Sequence, residues 1–174
     1  MRALRLLGLF ALATTAFAAG TPPSAESLLK AAEIKAGHEH KNVFLVFHAS
    51  WCGWCHKLDD LMTGAEFKHA FDKSYVIVHV TILENEPAQK LNENPGGKEL
   101  YTSLGGGDGI PFFAIFNPKG TKLGDSNAPK NIGYPAEPNE VVHFMDLMQK
   151  TSHMTAQEQA ALRAYLSQKP TSGH

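Results

Sequence analysis

Apolar residues along the chain form short runs in which β-branched and aromatic side chains dominate. Such runs are typical of buried strands, and they predict strands at residues 43–48, 75–82 and 112–116, with a shorter strand at 121–123. The intervening residues 117–120 read Asn-Pro-Lys-Gly, which is a turn sequence. The last two strands are therefore expected to form a hairpin.

Segments with helical spacing of apolar residues separate these strands. The predicted helices cover residues 25–36, 52–62, 65–71, 139–150 and 155–168, with two shorter helical pieces within 87–104 around a loop at 94–97. Ser24 is the expected N-cap of the first helix and Gly37 its expected end. Thr155 and Glu158 have the spacing of a capping box on the last helix. Strands that alternate with helices predict an α/β fold.

The first 18 residues differ from the rest of the chain. Arg2 and Arg5 precede an apolar run, and Ala16-Phe17-Ala18 is a small-x-small cleavage pattern. We therefore interpret residues 1–18 as a secretory signal peptide and residues 19–174 as a single domain that begins at Ala19. The run is too short to span a bilayer, and no other segment is long and apolar enough, so we expect no transmembrane segment after its removal.

The charge of the chain argues against a nucleic-acid partner. The sequence has 16 basic and 17 acidic residues, and loss of the signal removes two basic residues, which leaves a net charge of −3. A protein that binds nucleic acid would instead carry clustered Lys and Arg.

The two cysteines of the chain, Cys52 and Cys55, lie two residues apart between a predicted strand and a predicted helix. A structural zinc site would need two more ligands at short fixed spacing, and the chain has no second Cys pair. A disulfide that only stiffens the turn is an alternative. In an oxidising compartment, however, a protein with a single Cys pair has no spare disulfide for structure, so the pair more often serves chemistry. A helix N-terminus beside Cys52 would also stabilise a thiolate there.

Three segments in order resemble the thioredoxin family. Residues 43–55, with Trp51-Cys52-Gly53-Trp54-Cys55, resemble its strand, turn and active-site helix, in the form found in secreted bacterial members. Residues 109–113 match the element in which the family has a cis-proline, here Pro111, and residues 117–120 match its hairpin turn. The resemblance implies a thioredoxin fold: a central mixed β-sheet flanked by helices, here with an extra C-terminal helix.

The resemblance also assigns roles to the site residues. Cys52 is the expected nucleophile, exposed at the helix start, and Cys55 is the resolving thiol. Trp51, Gly53 and Trp54 beside the sulfurs, with Ile110 and Pro111 opposite, are the expected substrate-binding residues. For Trp51, partial packing in the core is an equal alternative.

One position departs from the family. Cytoplasmic thioredoxins have an Asp six residues before the first Cys, where this chain has Val46. His48 lies on the same face of the predicted strand and could transfer the proton instead. The alternative is a core histidine bonded to the backbone. His56 could add positive charge near the thiolate or be solvated.

The implied function is thiol–disulfide exchange on protein thiols and disulfides outside the cytoplasm, in the bacterial periplasm, by a monomer without a cofactor or metal. A membrane electron donor is a candidate partner. The direction of electron flow stays open, because ~30 mV of reduction potential corresponds to only about 1.4 kcal/mol. The alternative function is a non-catalytic binding or copper-delivery module, in which the segment His38-Glu39-His40 would join the thiols.

Overall fold

A four-stranded mixed sheet forms the centre of the computed structural model, which describes residues 20–168. Its strands are β1 (Asn42–His48), β2 (Tyr75–Thr81), β3 (Phe112–Phe116) and β4 (Lys122–Asp125). Their order across the sheet is β2-β1-β3-β4. β1 pairs in parallel with β2 and antiparallel with β3, and β4 completes the predicted hairpin with β3.

Seven helices in the described residues surround the sheet. They are α1 (Ala25–Glu39), α2 (Gly53–Thr63), α3 (Lys68–Asp72), α4 (Pro87–Lys90), α5 (Gly97–Ser103), α6 (Pro138–Thr151) and α7 (Ala156–Ser167). None of the helices in residues 20–168 is long and apolar enough to span a membrane. The predicted signal peptide lies outside the described residues.

The core has two layers, because successive side chains of a strand point to opposite faces of the sheet. On one face, Phe44 and Val46 of β1 pack with buried residues of α2, α6 and α7. On the other face, Leu45 and Phe47 pack against α1 and the loop before β3. The predicted α/β fold with a mixed sheet and a closing helix is confirmed, and α7 adds its apolar side to the first layer.

Two predicted helix boundaries were wrong. Gly37 does not end α1, which continues to Glu39 and ends at His40 in the left-handed conformation. A glycine inside a helix costs only about 1 kcal/mol, which the packing of buried Ala36 beside it can offset. The helix predicted at 65–71 is instead the shorter α3, because the chain turns at 64–67 before it becomes helical.

Candidate active site

Cys52 and Cys55 form a disulfide at the start of α2, with their Cα atoms 5.2 Å apart. Cys52 is the N-cap of this helix, and its sulfur accepts a hydrogen bond from the backbone N–H of Cys55 at 3.2 Å. The first turn of α2 contains no acidic residue. The unpaired N–H groups of the helix N-terminus therefore face Cys52 without an opposing charge in that turn.

The expected exposure of Cys52 was wrong for the disulfide form. Both cysteines are only 4% exposed, and they pack against Ala49 and Ile110. The sequence shows that Cys52 begins a helix, but it does not show that the loop before β3 covers the sulfurs from the opposite side. In the disulfide form, the sulfurs are therefore covered by Ala49 and by the loop that carries Ile110.

Ile110 and Pro111 lie next to the cysteines, as the sequence predicts. The Ile110–Pro111 peptide bond is cis, and the carbonyl oxygen of Ile110 lies 3.6 Å from the sulfur of Cys52. Pro111 is buried, whereas Ile110 is half-buried and packs against the cluster formed by Ala49, Cys52 and Cys55. A second cis bond, Ala128–Pro129, was not predicted.

Asn131 holds this loop in place, and sequence reasoning missed it. Its side-chain NH₂ donates to the carbonyl oxygens of Gly109 and Pro111, both at 2.9 Å. Its side-chain oxygen accepts the hydroxyl of buried Ser126 at 2.7 Å. The Tyr101 hydroxyl also donates to Gly109, at 3.1 Å. The loop opposite the disulfide is thus fixed by side chains distant in sequence, so no local pattern could have indicated them.

The two tryptophans flank the disulfide and face solvent. Trp51 is 51% exposed, so the alternative of core packing is wrong, and its indole N–H donates to the carbonyl of Leu83 at 2.8 Å. Trp54 is 46% exposed and stacks on Tyr134, with 5.8 Å between ring centroids. Gly53 lies between them, and a Cβ atom there would meet nothing within 4 Å. The surface beside the sulfurs is therefore apolar, aromatic and open.

A cleft of about 370 Å³ continues from this surface along the loop. Trp54, Pro111 and Tyr134 form its apolar part, and Asp108 with Glu137 adds carboxylates. The cleft shares Ile110 and Pro111 with the loop opposite the disulfide and Trp54 with the Cys-x-x-Cys segment.

His48 lies at the end of β1, half-buried, on the same face of the strand as Val46. Its Nε2 atom is 3.2 Å from the Thr81 hydroxyl, and its ring is 5.2 Å from that of His79. Burial lowers the pKa of His48 below 6.5, and the neighbouring His79 lowers it further, against the opposing effect of Asp59. His48 is therefore neutral near pH 7 and able to accept a proton.

Asp59 of α2 is partly exposed but also contacts the sheet. Its Oδ1 atom lies 3.1 Å from Nε2 of His79, and both atoms are buried. The distance is within the range of an ion pair, but the two atoms are not aligned as a hydrogen bond. Asp59 follows Cys55 by one helical turn, and His79 lies opposite Val46 in the sheet. Polar groups thus occupy the region where the family has its acid.

His56 and Glu84 contact the segment just before Cys52. His56 is not simply solvated, because its Nε2 atom donates to the carbonyl oxygen of Ser50 at 2.9 Å. Glu84 is 4% exposed and accepts both donors of Ser50. Sequence reasoning did not identify Glu84, which follows Ser50 by 34 residues and matches no motif.

The segment His38-Glu39-His40 lies far from the cysteines. It precedes β1, whereas the cysteines follow that strand, whose seven residues span about 20 Å. These histidines cannot share one metal ion with the thiols. Within residues 20–168, no group of three or more His, Cys, Asp or Glu side chains is gathered as a metal site.

Comparison with known families agrees with the resemblance that the sequence motifs indicate. A family model described as thioredoxin-like matches residues 25–118, which is more than half of the chain. The chain belongs to the thioredoxin-like family. No curated protein sequence matches it significantly.

Several solved structures resemble the chain at low sequence identity. A disulphide isomerase from Xylella fastidiosa Temecula1 is 19% identical, with a TM-score of 0.50 over 91% of this chain and 100% of that one. A DsbH oxidoreductase is 21% identical, with a TM-score of 0.46 over 82% of this chain and 95% of that one. The C-terminal domain of Neisseria meningitidis DsbD, in its oxidised form, is 23% identical, with a TM-score of 0.42 over 60% and 84%. The likeness to the Xylella protein is one of fold.

The family match, the fold and the Cys-x-x-Cys disulfide together define a thioredoxin-like thiol–disulfide oxidoreductase. Its general chemistry is exchange between this disulfide and other thiols and disulfides.

Proposed function

We propose that this oxidoreductase acts on protein thiols and disulfides outside the cytoplasm, with Cys52 as its nucleophile and Cys55 as its resolving thiol. The observation that carries the proposal is the position of Cys52 at the N-cap of α2, beside the Ile110 carbonyl. A thiolate at this position is stabilised by the partial positive charge of the helix N-terminus. Cys55 lies inside the first turn and is held against Cys52 by the helix itself.

In the reducing direction, the Cys52 thiolate attacks one sulfur of a partner disulfide. A mixed disulfide forms, and the other partner sulfur leaves as a thiolate that takes up a proton. Cys55 then loses its proton and attacks the Cys52 sulfur, which releases the second partner thiol. Two electrons pass to the partner, and the Cys52–Cys55 disulfide remains. The oxidising direction is the reverse, and no cofactor or metal takes part in either.

His48 is the group that we assign to the proton of Cys55. A buried thiol with only apolar neighbours has a raised pKa, so its attack needs a nearby proton acceptor. Burial lowers the pKa of His48 and keeps it neutral, and its ring adjoins the buried His79–Asp59 contact. The proton can therefore reach a connected polar region even though Val46 replaces the acid of the family.

The partner segment binds in extended form across the two tryptophans and the cleft. Trp51 and Trp54 offer apolar surface on the α2 side, and Ile110 with Pro111 bounds the opposite side. The surface at Gly53 is open to the partner backbone, since even a Cβ atom there would meet nothing within 4 Å. A protein partner can supply such an extended segment, which binds along this surface and needs no enclosed small-molecule pocket.

The proposed location is the periplasm, and it rests on the signal-like pattern of residues 1–18. Fractionation of cells that express the full chain, with sequencing of the mature N-terminus, tests this proposal. A protein that starts at Ala19 outside the inner membrane agrees with it. A protein that keeps residues 1–18 in the cytoplasm contradicts it. We expect a monomer that a membrane electron donor can regenerate.

Exchange itself is tested with the reduced protein and oxidised glutathione. The native chain should form its disulfide with release of two glutathione thiols. Cys55→Ser should stop at a mixed disulfide on Cys52, which mass spectrometry detects, and Cys52→Ser should form none with Cys55 at a comparable rate. Equal trapping at both positions would contradict the assigned roles, and no reaction of the native dithiol would favour a binding module instead.

A further inference from the structure

Glu84 is a buried carboxylate attached to the segment that leads into the redox site. It follows the last residue of β2 by three positions and is only 4% exposed. Its Oε1 atom accepts the backbone N–H of Ser50 at 2.7 Å, and its Oε2 atom accepts the Ser50 hydroxyl at 2.7 Å. Both oxygens act as acceptors, as those of an ionised carboxylate do. Ser50 precedes Cys52 by two residues.

Neighbouring contacts hold the same segment from both sides. Leu83 accepts the indole N–H of Trp51 at 2.8 Å, and His56 donates to the Ser50 carbonyl at 2.9 Å. Leu83 has a φ of 58°, which is the left-handed region that a non-glycine residue rarely adopts. Such a conformation persists where surrounding contacts demand it, and it is common at functional sites. Leu83 itself binds Trp51, and the next residue, Glu84, binds Ser50.

The charge of Glu84 is not cancelled by these contacts. Its partners at Ser50 are neutral dipoles rather than a cation. Glu93 accepts the backbone N–H of Glu84 at 2.7 Å and adds a second carboxylate nearby. From β1, His48 is neutral because burial lowers its pKa, and Glu84 acts on it in the opposite direction. From α2, the helix N-terminus opposes a negative potential at the site, and the His56 ring donates to the Ser50 carbonyl.

We propose that Glu84 is a positioning residue that fixes the segment before Cys52 and, through its buried charge, favours the disulfide over the dithiol. The first effect acts through the bonds to Ser50 and the second through the electric field at Cys52, and neither needs contact with a substrate. This inference rests on the proposed exchange function and adds a direction to it. The reduced protein gives two electrons to a partner disulfide, forms the Cys52–Cys55 bond and leaves two partner thiols.

The physical reason is repulsion between two negative charges. Glu84 binds Ser50, which precedes Cys52 by only two residues, so a thiolate on Cys52 forms near a buried carboxylate. Such a thiolate is less stable, because the protein interior screens charges weakly. Oxidation to the disulfide removes the thiolate and with it the repulsion. A strong oxidant of this chemistry instead has a stabilised reduced form. The charge of Glu84 therefore lowers the reduction potential of the Cys52–Cys55 pair, which makes the protein a better reductant.

The test replaces Glu84 by Gln, which keeps the size of the side chain and removes its charge. Two quantities are measured in the full chain: the rate of Cys52 alkylation against pH, and the equilibrium with reduced and oxidised glutathione. Glu84→Gln should increase alkylation about threefold to tenfold below the thiol pKa, because a unit of pKa changes the thiolate fraction tenfold. The equilibrium should move towards the dithiol in the same direction. A full tenfold change corresponds to about 30 mV.

Glu93→Gln is the matched control, since it removes a carboxylate from the same loop that is only half-buried, so that solvent screens its charge more than that of Glu84. It should change both quantities less than twofold. Ser50→Ala removes the hydroxyl partner and keeps the Glu84 charge, and it should not reproduce the shift. If Ser50→Ala and Glu84→Gln give the same shift, loop geometry rather than charge is responsible and the proposal is wrong. An unchanged or decreased alkylation rate in folded Glu84→Gln also overturns it.

Thermal unfolding of each variant shows whether the single change is tolerated. If Glu84→Gln does not fold, the double variant Glu84→Gln/Ser50→Ala is compared with Ser50→Ala, because removal of both partners leaves no unpaired hydroxyl. The double variant should show the same threefold to tenfold increase, and its absence overturns the proposal. Lack of exchange in the native protein would instead contradict the proposed function, which separates the two failures.

Discussion

The two ends of β1 use polar groups in different ways. At the N-terminal end, the Tyr75 hydroxyl lies 2.7 Å from the Thr151 hydroxyl, which in turn donates to Leu147. Asn42 donates to the Thr151 carbonyl at 2.7 Å. Burial raises the pKa of Tyr75, so its hydroxyl stays neutral and paired. These contacts join the sheet to α6, next to the junction with α7.

At the C-terminal end of β1, the polar groups are titratable and less completely paired. His48 contacts Thr81 and the ring of His79, and His79 approaches Asp59 without a well-aligned hydrogen bond. The disulfide lies beside this region. We therefore expect the first end to contribute mainly to stability through fixed pairs, and the second end to take part in the proposed proton transfer. Substitutions at the two ends should therefore separate stability from chemistry.

Leu162→Ala should have the largest effect on stability. Leu162 of α7 is fully buried in the core layer that also contains residues of α2 and α6. A leucine-to-alanine change in a core costs about 2–5 kcal/mol. Chemical denaturation measures the loss, and the exchange rate per folded molecule should stay unchanged. Exposed Arg163→Ala is the control, expected within about 0.5 kcal/mol of the native protein. A loss of exchange in folded Leu162→Ala would mean that α7 acts on the redox end.

His48→Ala should change chemistry more than stability. We expect the release of mixed disulfides to slow about tenfold, which is about 1.4 kcal/mol of barrier, while their formation is unchanged. Stopped-flow kinetics near pH 7 measures both steps. His69→Ala, whose side chain is 87% exposed, is the control. Equal slowing of both steps, together with lower stability, would assign His48 to packing alone.

The same variant should also remove a pH dependence. Because the pKa of His48 is lowered in the folded state, the unfolded chain binds more protons there below pH 6.5. The native protein should therefore lose stability as the pH falls below 6.5. His48→Ala should show less of this loss in unfolding curves at pH 5 and 7.

Tyr75→Phe and Tyr101→Phe make the same chemical change at the two ends. Each removes one hydroxyl whose hydrogen bond contributes about 1 kcal/mol. Tyr75→Phe should lower stability by about this amount and leave exchange unchanged. Tyr101→Phe should also slow exchange about threefold, because Tyr101 holds Gly109 in the loop opposite Cys52. Identical exchange rates in the two variants would remove the distinction between the ends.

Glu158→Gln should have the smallest effect. The Lys73 ammonium, 2.5 Å away, and the backbone N–H of Thr155 lower the pKa of Glu158 to about 2. The pair is partly exposed, so we expect a loss below about 1 kcal/mol at pH 7. Because the folded pKa is lowered, this contribution is present above pH 4.5 and disappears as the pH falls towards 2. Unfolding curves of both proteins should therefore converge at low pH, and a constant difference would contradict the assignment.

Local signals in the sequence determined much of the fold and part of the site. The apolar runs located β1, β2 and β3, the turn at 117–120 indicated the hairpin with β4, and Thr155 with Glu158 forms the predicted capping box. The spacing of Cys52 and Cys55 indicated the disulfide at the start of a helix. These features succeed because each depends on residues close together in the chain, whose periodicity, capping or spacing is visible without tertiary structure.

The tertiary structure decided which side chains surround those elements. The burial of Cys52, the hold of Asn131 on the loop, and the bonds between Glu84 and Ser50 all join residues at least 20 positions apart. No short-range pattern encodes them, because each arises only when separate elements pack together and buried polar groups must find partners. For the same reason, α1 passes through Gly37, where packing outweighs a weak local preference. The sequence alone determined where the thiols lie and which fold carries them, and the packing decided what holds them and what charge they face.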